Sequence, residues 1–372
     1  MARILVNLLS FTGSKGGMEI YARELYTELG AMDTGHEFIG FGSTEFMKRD
    51  HSWFPGVVHN SGFSGENRYA WAFGELFAVS RAARKYKADV IHNPMTLGPW
   101  RSSVPAVYTM HDMLYFRSPE LMATPFYTKP MQWLEKRGAS NATAIITDSH
   151  DAAADVAKYL NFPKDRIEVV YLAAHPPAVR PEAVERERAL FLAVGNRLPH
   201  KNFAGLVRAM ARIPVEQRPK LVITGSRGDD PLRPIVEELD LADSVDLRSW
   251  VSDEELDWLY QHATALMVAN FVDGFGLPVL EAQQLGTPVL LSDIEVYHEV
   301  AGDSVGYFDT TDPDAIAAAM LHAVDNPEWL KSLIPLGYAH AAEFTWRKTA
   351  EQTLAVLERA LVDPSRAKSR RR

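Results

Sequence analysis

Cysteine is absent from all 372 residues. That excludes a disulfide framework and any thiolate nucleophile or metal ligand, and it suits the reducing cytoplasmic compartment. Also missing is a run of eighteen apolar residues, the length a membrane span needs. The opening Met1-Ala-Arg-Ile-Leu-Val reads as a first buried strand and not as a leader, because its apolar run soon meets Ser10 and Thr12. The histidines never fall into His-Glu-x-x-His spacing, and His298-Glu299 lacks a second histidine, so no metal site is expected. No Gly-x-Ser-x-Gly elbow occurs, since Gly225-Ser-Arg-Gly228 misses the spacing, and no repeat of solenoid period is present.

An excess of positive charge is lacking as well. The net charge is −9, and residues 1–178 balance 18 basic against 18 acidic side chains, so the whole imbalance lies in the remainder. An acidic C-terminal half argues against a nucleic-acid surface. The one basic cluster, Arg366-Ala-Lys-Ser-Arg-Arg-Arg372, reads first as a solvated terminus and second as a contact with anionic lipid.

What is present is a strand–helix rhythm played twice. Strands are expected at Arg3–Leu9, Glu37–Phe41, Val57–His59, Asp89–His92, Ala106–Met110, Ala144–Thr147 and Ile167–Tyr171. Helices are expected at Met18–Leu29, Arg68–Tyr86, Pro130–Arg137 and Ala152–Leu160. The proline-rich segment Ala173–Glu187 interrupts as a linker. Strands then resume at Leu190–Val194, Leu221–Thr224, Val245–Leu247, Ala265–Val268, Val289–Leu291 and Val305–Phe308, again with helical patterns between them. Near-continuous apolar strands alternating with amphipathic helices predict parallel sheets covered on both faces. The fold class is therefore α/β, with two Rossmann-like doubly wound domains at 1–178 and 186–345. A last helix over 346–363 is expected to return to the first domain, ahead of a basic tail at 364–372.

Ligands of such sheets bind beyond the carboxyl ends of the strands, and polar clusters recur there. Gly13-Ser-Lys-Gly16-Gly17-Met-Glu19 follows the first strand and feeds a helix, fitting neither the dinucleotide fingerprint nor the Walker A spacing. His111-Asp112 follows another strand, with the carboxylate placed to orient the imidazole or raise its pKa. In the second half, Gly195-Asn-Arg197-Leu-Pro-His-Lys201-Asn202 sets two cations four residues apart, spaced to flank a diphosphate. Trp250-Val251 is placed to border a planar base or to anchor a loop. Asp273-Gly-Phe-Gly-Leu-Pro-Val-Leu-Glu281 puts two carboxylates on either side of a glycine turn that opens a helix. A helix N-terminus favours an anion, while carboxylates accept from hydroxyls. A nucleotide sugar meets both demands. Asp312-Pro-Asp314 has a metal-holding Asp-x-Asp form but reads as a helix cap followed by a first-turn proline.

Across nearly its whole length the chain resembles retaining GT-B glycosyltransferases of family 4. The glycine loop with Gly17-Met-Glu19, His111-Asp112, Gly195–Asn202 and Asp273–Glu281 carry the likeness. The chain departs from the family's paired-glutamate motif by having Asp at 273, one methylene shorter. The resemblance implies that the two domains face a central cleft and close on the donor about the linker. It implies that Glu281 accepts from ribose hydroxyls, Asp273 from donor-sugar hydroxyls, and that amides of Gly274, Phe275, Gly276 and Leu277 touch sugar or phosphate. Arg197 and Lys201 would steady the departing diphosphate, Gly16 and Gly17 would cover the phosphates, His111 would lie by the anomeric carbon, and Glu19 would face the acceptor. The spatial demand is that 197, 201, 273 and 281 converge on one ligand.

The function expected is metal-independent retaining transfer of a sugar from a nucleoside-diphosphate donor, GDP-mannose first among candidates. The acceptor would be a hydroxyl of a glycan, a lipid-linked molecule or a small molecule. No cofactor and no nucleic-acid partner are expected, and the place of action is the cytoplasm or the inner face of a membrane. Alternatives are a nucleotide-sugar epimerase of the same architecture and a non-catalytic sugar-nucleotide binder; a pyridoxal-phosphate phosphorylase is disfavoured for want of a lysine-bearing cofactor motif. Donor base, linkage, acceptor and oligomeric state are not written in the residues.

Overall fold

A computed structural model describes residues 1–13, 16–122, 125–177 and 189–362. The basic tail, most of the linker with the expected boundaries at 178 and 186, and Ser14 and Lys15 of the glycine loop lie outside these described residues. Two compact units are present. One takes in described residues 1–119, 125–172 and 345–362; the other takes in described residues 120–122, 173–177 and 189–344.

The first unit holds strands β1 (Arg3–Leu8), β2 (Glu37–Gly42), β3 (Gly56–Asn60), β4 (Val90–Asn93), β5 (Ala106–Met110), β6 (Ala144–Thr147) and β7 (Ile167–Val169). They form one parallel sheet in the order β3-β2-β1-β4-β5-β6-β7. Beyond Arg3, every residue of β1 is buried, as a strand covered on both faces requires. The helix Gly17–Ala31 buries Tyr21, Ala22, Leu25, Tyr26 and Leu29, a stripe at three- and four-residue spacing. The chain's last helix, Trp346–Val362, packs in this same unit, where Thr349 Oγ1 donates to the Tyr171 carbonyl at 2.7 Å.

The expected single helix Arg68–Tyr86 is instead Arg68–Phe73, a π-helical turn Gly74–Ala78, and Val79–Lys85. Within that turn Glu75 is buried, and its carboxylate accepts from Asn7 Nδ2 at 2.5 Å, Ser10 Oγ at 3.1 Å and Trp71 Nε1 at 3.0 Å. Glu75 shares its buried face with Val79, Ala82 and Ala83 of the helical turn that follows. A second difference is Pro130, expected to open a helix. It lies inside the helix Pro125–Ala139, at the cost of one backbone hydrogen bond.

The second unit contains β8 (Leu190–Val194), β9 (Lys220–Ser226), β10 (Val245–Ser249), β11 (Ala265–Val268), β12 (Val289–Ser292) and β13 (Gly306–Phe308). Their parallel order is β10-β9-β8-β11-β12-β13. The direction of strand addition reverses between β8 and β11, so the loops after those two strands diverge and leave a crevice at their carboxyl ends. Phe191, Leu206, Met210, Ile223, Met267 and Met320 are part of the core beneath it.

Candidate active site

The β8–β11 switch point assembles the central part of the site in the second unit. After β8 comes a turn ending in Pro199–Lys201, and after β11 comes the loop leading to the helix Leu277–Gln284. The loops are tied through backbone, with Phe271 N–H donating to the His200 carbonyl at 2.8 Å. Lys201 Nζ consequently lies 3.4 Å from Asp273 Oδ2. The same oxygen accepts from Asn270 Nδ2 at 2.6 Å and the Tyr297 hydroxyl at 2.8 Å, while Oδ1 accepts from Gly274 N–H at 2.8 Å. Burial opposes ionisation of Asp273, but Lys201 and these donors outweigh it and hold its carboxyl below the ordinary range.

Gly276 precedes the helix with φ 98°, in the region that favours glycine; a Cβ there would stand 2.8 Å from a ring carbon of Tyr297. Gly274 and Phe275 are buried, and Phe275 meets Phe344 edge-on at 6.0 Å. Leu277 is half-buried at the start of the helix. One turn on, Glu281 Oε2 accepts from the Tyr260 hydroxyl at 2.9 Å, and burial leaves its pKa raised despite that bond.

Arg197 is paired with Asp230, as Lys201 is with Asp273, so the two expected cations answer different carboxylates. The Arg197 side chain is only 6% exposed and pairs with Asp230 at 2.8 Å. Its remaining N–H groups donate to the carbonyls of Gly195, Ile223, Thr224 and Arg248. Strands β9 and β10 lie on the far side of β8 from β11, and the guanidinium bolts the loop after β8 to their ends. Its positive charge is answered by Asp230, whose pKa is lowered against the effect of burial. Trp250 and Val251 follow β10. Trp250 is exposed, with the Arg227 guanidinium 4.9 Å over its ring.

His200 is the residue in this loop that motif reading passed over. It is buried between the strand ends with no partner for Nδ1 among the described residues, and burial followed by the Lys201 charge lowers its pKa to about 4. A neutral imidazole there adds no charge to the Lys201–Asp273 pair.

In the first unit, Gly16 caps the helix Gly17–Ala31 with φ 58°. Glu19 is turned back onto its own loop, where Oε1 accepts from Thr12 N–H at 2.7 Å and Gly13 N–H at 2.8 Å. That gives the carboxylate a loop-shaping contact that the expected acceptor-facing role did not include.

His111 follows β5 and is buried. Its Nδ1 lies 2.6 Å from Asp148 Oδ2 and its Nε2 lies 3.1 Å from the Pro94 carbonyl. Of the two roles expected for Asp112, orienting the ring falls to Asp148, while the Asp112 charge does act to raise the His111 pKa. Asp112 Oδ1 accepts from Leu114 N–H at 3.1 Å, and its charge is the smallest of the influences on His111. Asp148 follows β6, the neighbour of β5, so strand order supplies the partner that sequence adjacency suggested wrongly. Burial alone would lower the His111 pKa; the Asp148 carboxylate and the two accepting oxygens more than reverse this and raise it. An imidazolium with both N–H groups spent on Asp148 and a carbonyl offers its charge and its ring edge, not a free base. The Tyr21 ring packs edge-on against it at 4.8 Å.

No group of three or more candidate ligands is placed to hold a metal ion among the described residues. Asp312 caps the helix Pro313–Asp325, its side chain accepting from Asp314 N–H at 2.9 Å.

Two parallel-sheet α/β units, each with polar groups gathered at the carboxyl ends of its strands, define a protein of the GT-B glycosyltransferase fold. Residues 15–176 match the family described as Glycosyltransferase Family 4, and residues 178–340 match Glycosyl transferases group 1. The chain is 31% identical to the Escherichia coli O-antigen chain mannosyltransferase B over 73% of its own length and 75% of that protein. To the MMP alpha-(1->4)-mannosyltransferase of Mycolicibacterium hassiacum it is 29% identical, over 75% of this chain and 72% of the other. Its fold is similar to sucrose-phosphate synthase from Thermosynechococcus elongatus, with a TM-score of 0.79 at 20% identity over 96% of this chain and 99% of that one. The chain belongs to this group 1, family 4 class of glycosyltransferases.

Proposed function

We propose that the protein moves a hexosyl group, with retention at the anomeric carbon, from a nucleoside-diphosphate sugar to a hydroxyl of a glycan, lipid-linked or small-molecule acceptor, without a divalent ion. The donor we favour is GDP-mannose, because the two relatives above are named as mannosyltransferases. The carrying observation is Lys201 held against Asp273 at the β8–β11 switch point, with the glycine turn and the helix of Glu281 immediately following.

As the anomeric C–O bond breaks, negative charge grows on the diphosphate and positive charge on the sugar ring. A fixed ammonium and a helix N-terminus stabilise the first most in the transition state. Asp273 and Glu281 accept from sugar and ribose hydroxyls. The acceptor oxygen then bonds to the anomeric carbon on the face the diphosphate leaves, and its proton passes to the departing phosphate.

Purified protein incubated with GDP-mannose and, separately, with UDP- and dTDP-sugars tests this. Expected are a rise in melting temperature with the GDP donor, an α-linked product by proton NMR with an acceptor, and full turnover in EDTA. Activity abolished by EDTA and restored by magnesium or manganese would sink metal independence. A sugar altered without any acceptor would point to an epimerase.

A further inference from the structure

The two oxygens of the Asp273 carboxylate are unequally occupied. Oδ2 faces three donors: the Asn270 amide at 2.6 Å, the Tyr297 hydroxyl at 2.8 Å and the Lys201 ammonium at 3.4 Å. A carboxylate oxygen has two lone-pair sites, so Oδ2 is fully used. Among the described residues Oδ1 accepts from Gly274 N–H alone, at 2.8 Å, and keeps one site. The Asp273 side chain is 17% exposed, so a ligand can reach it.

Asn270 and Tyr297 also bond to each other, at 2.7 Å, which closes a triangle with Asp273. Its proton directions are determined. A carboxylate only accepts, so Tyr297 spends its one proton on Oδ2 and receives one from Asn270. The two amide protons of Asn270 go to Oδ2 and to the Tyr297 oxygen. Turning the amide over would set its carbonyl against the carboxylate. Both partners are enclosed, Asn270 at 3% exposure and Tyr297 at 0%. Each is tied to a further strand. The Ser292 hydroxyl, at the end of β12, donates to the Asn270 carbonyl at 2.7 Å, and the Tyr307 hydroxyl, in β13, donates to the Tyr297 carbonyl at 3.1 Å. Neither enclosed side chain has a proton left for a ligand. The acid at 273, one methylene shorter than a glutamate, is thus held from within the core.

Resting on the functional reading above, we propose that Asn270 and Tyr297 are positioning residues for recognition of the donor sugar: by filling Oδ2 they leave Oδ1 to accept from a single sugar hydroxyl. A carboxylate with both oxygens open can span two neighbouring hydroxyls; this one selects donors by the place of one. The same bonds keep it ionised. With Lys201 they hold its carboxyl below the ordinary range against the effect of burial, and His200 is the other titratable group that acts on it.

The test is isothermal titration of wild type, Tyr297→Phe and Asn270→Ala with GDP and with GDP-mannose. Tyr297→Phe keeps the ring and removes only the hydroxyl. GDP should bind all three proteins alike, while the extra affinity conferred by the mannosyl group should fall by about tenfold in each variant, as for loss of one bond to a charged acceptor. As pH falls, that extra affinity should vanish at a higher pH in Tyr297→Phe than in wild type, because loss of the hydroxyl bond raises the Asp273 pKa. Donors each lacking one sugar hydroxyl, titrated into wild type and Asp273→Asn, count the contacts: one hydroxyl alone should be coupled to Asp273. Equal weakening of GDP and GDP-mannose would make the two residues supports of the loop and overturn the proposal. So would two coupled hydroxyls, or a sugar-dependent affinity that Tyr297→Phe leaves unchanged. A wild type that binds no GDP-, UDP- or dTDP-sugar would instead remove the functional reading, and the role of Oδ1 with it. An Asp273 carboxyl carbon that titrates at the same pH in wild type and Tyr297→Phe, followed by NMR without ligand, would overturn the positioning alone.

Discussion

His111 and Asp148 form the pair whose charge state has the clearest consequence. The side chains are 11% and 2% exposed, so solvent screens them little. The imidazole pKa is raised in the folded protein, so the stability it contributes is fully present below the unfolded value of about 6.5 and is lost as pH rises through the higher folded value. Asp148→Asn should therefore destabilise by about 2–4 kcal/mol at pH 6, and the gap from wild type should narrow toward pH 9. Urea unfolding at both pH values checks this; a gap that stays constant or widens with pH would show that His111 is not the linked group. The sequence placed His111 at the rim but chose Asp112 as its partner, because chain adjacency is visible in a sequence and strand adjacency is not. The same blindness explains Arg197. Its spacing to Lys201 is local and legible, whereas Asp230 and the carbonyls of Ile223, Thr224 and Arg248 reach it only through the order β10-β9-β8.

At the level of elements, the turn into the helix Leu277–Gln284 does two jobs with one glycine. Gly276 adopts a positive φ and leaves the space that Tyr297 occupies, and the Tyr297 hydroxyl holds Asp273. Gly276→Ala should thus cost about 1–3 kcal/mol through strain and contact and also loosen the Asp273 carboxylate. A urea titration reads the first effect, and isothermal titration with the donor nucleotide sugar reads the second. Unchanged donor affinity alongside lowered stability would detach Tyr297 from the binding function. Such turns were legible because glycine, proline and the flanking apolar strand each point the same way. Strands Ala106–Met110, Ala144–Thr147, Leu190–Val194 and Ala265–Val268 have the bounds expected from the sequence. The π-helical turn was not legible. Glu75 within it bonds Asn7 and Ser10, partners far along the chain that the local sequence of residues 68–86 does not record.

On the scale of the whole molecule, chain order and unit membership disagree at the C-terminus. The helix Trp346–Val362 follows the second unit in sequence and completes the first in space, burying Trp346, Leu354, Val356 and Leu357 there. Polar ties fix its register: Glu358 lies 3.1 Å from His36, and Arg359 lies 2.7 Å from Glu168. Burial of those four apolar side chains is worth roughly 6–12 kcal/mol, comparable with the total stability of an ordinary domain. The exposed ion pairs add little to that figure. A chain ending at Phe344 should therefore retain a folded second unit and lose the first. Limited trypsin digestion followed by mass spectrometry should show peptides from residues 1–172 released at once, while those from residues 189–340 stay protected. Equal protection of both sets in the shortened chain would mean that the first unit folds without its returning helix, and that the contacts of Trp346 and Leu357 are ornaments of a core already complete.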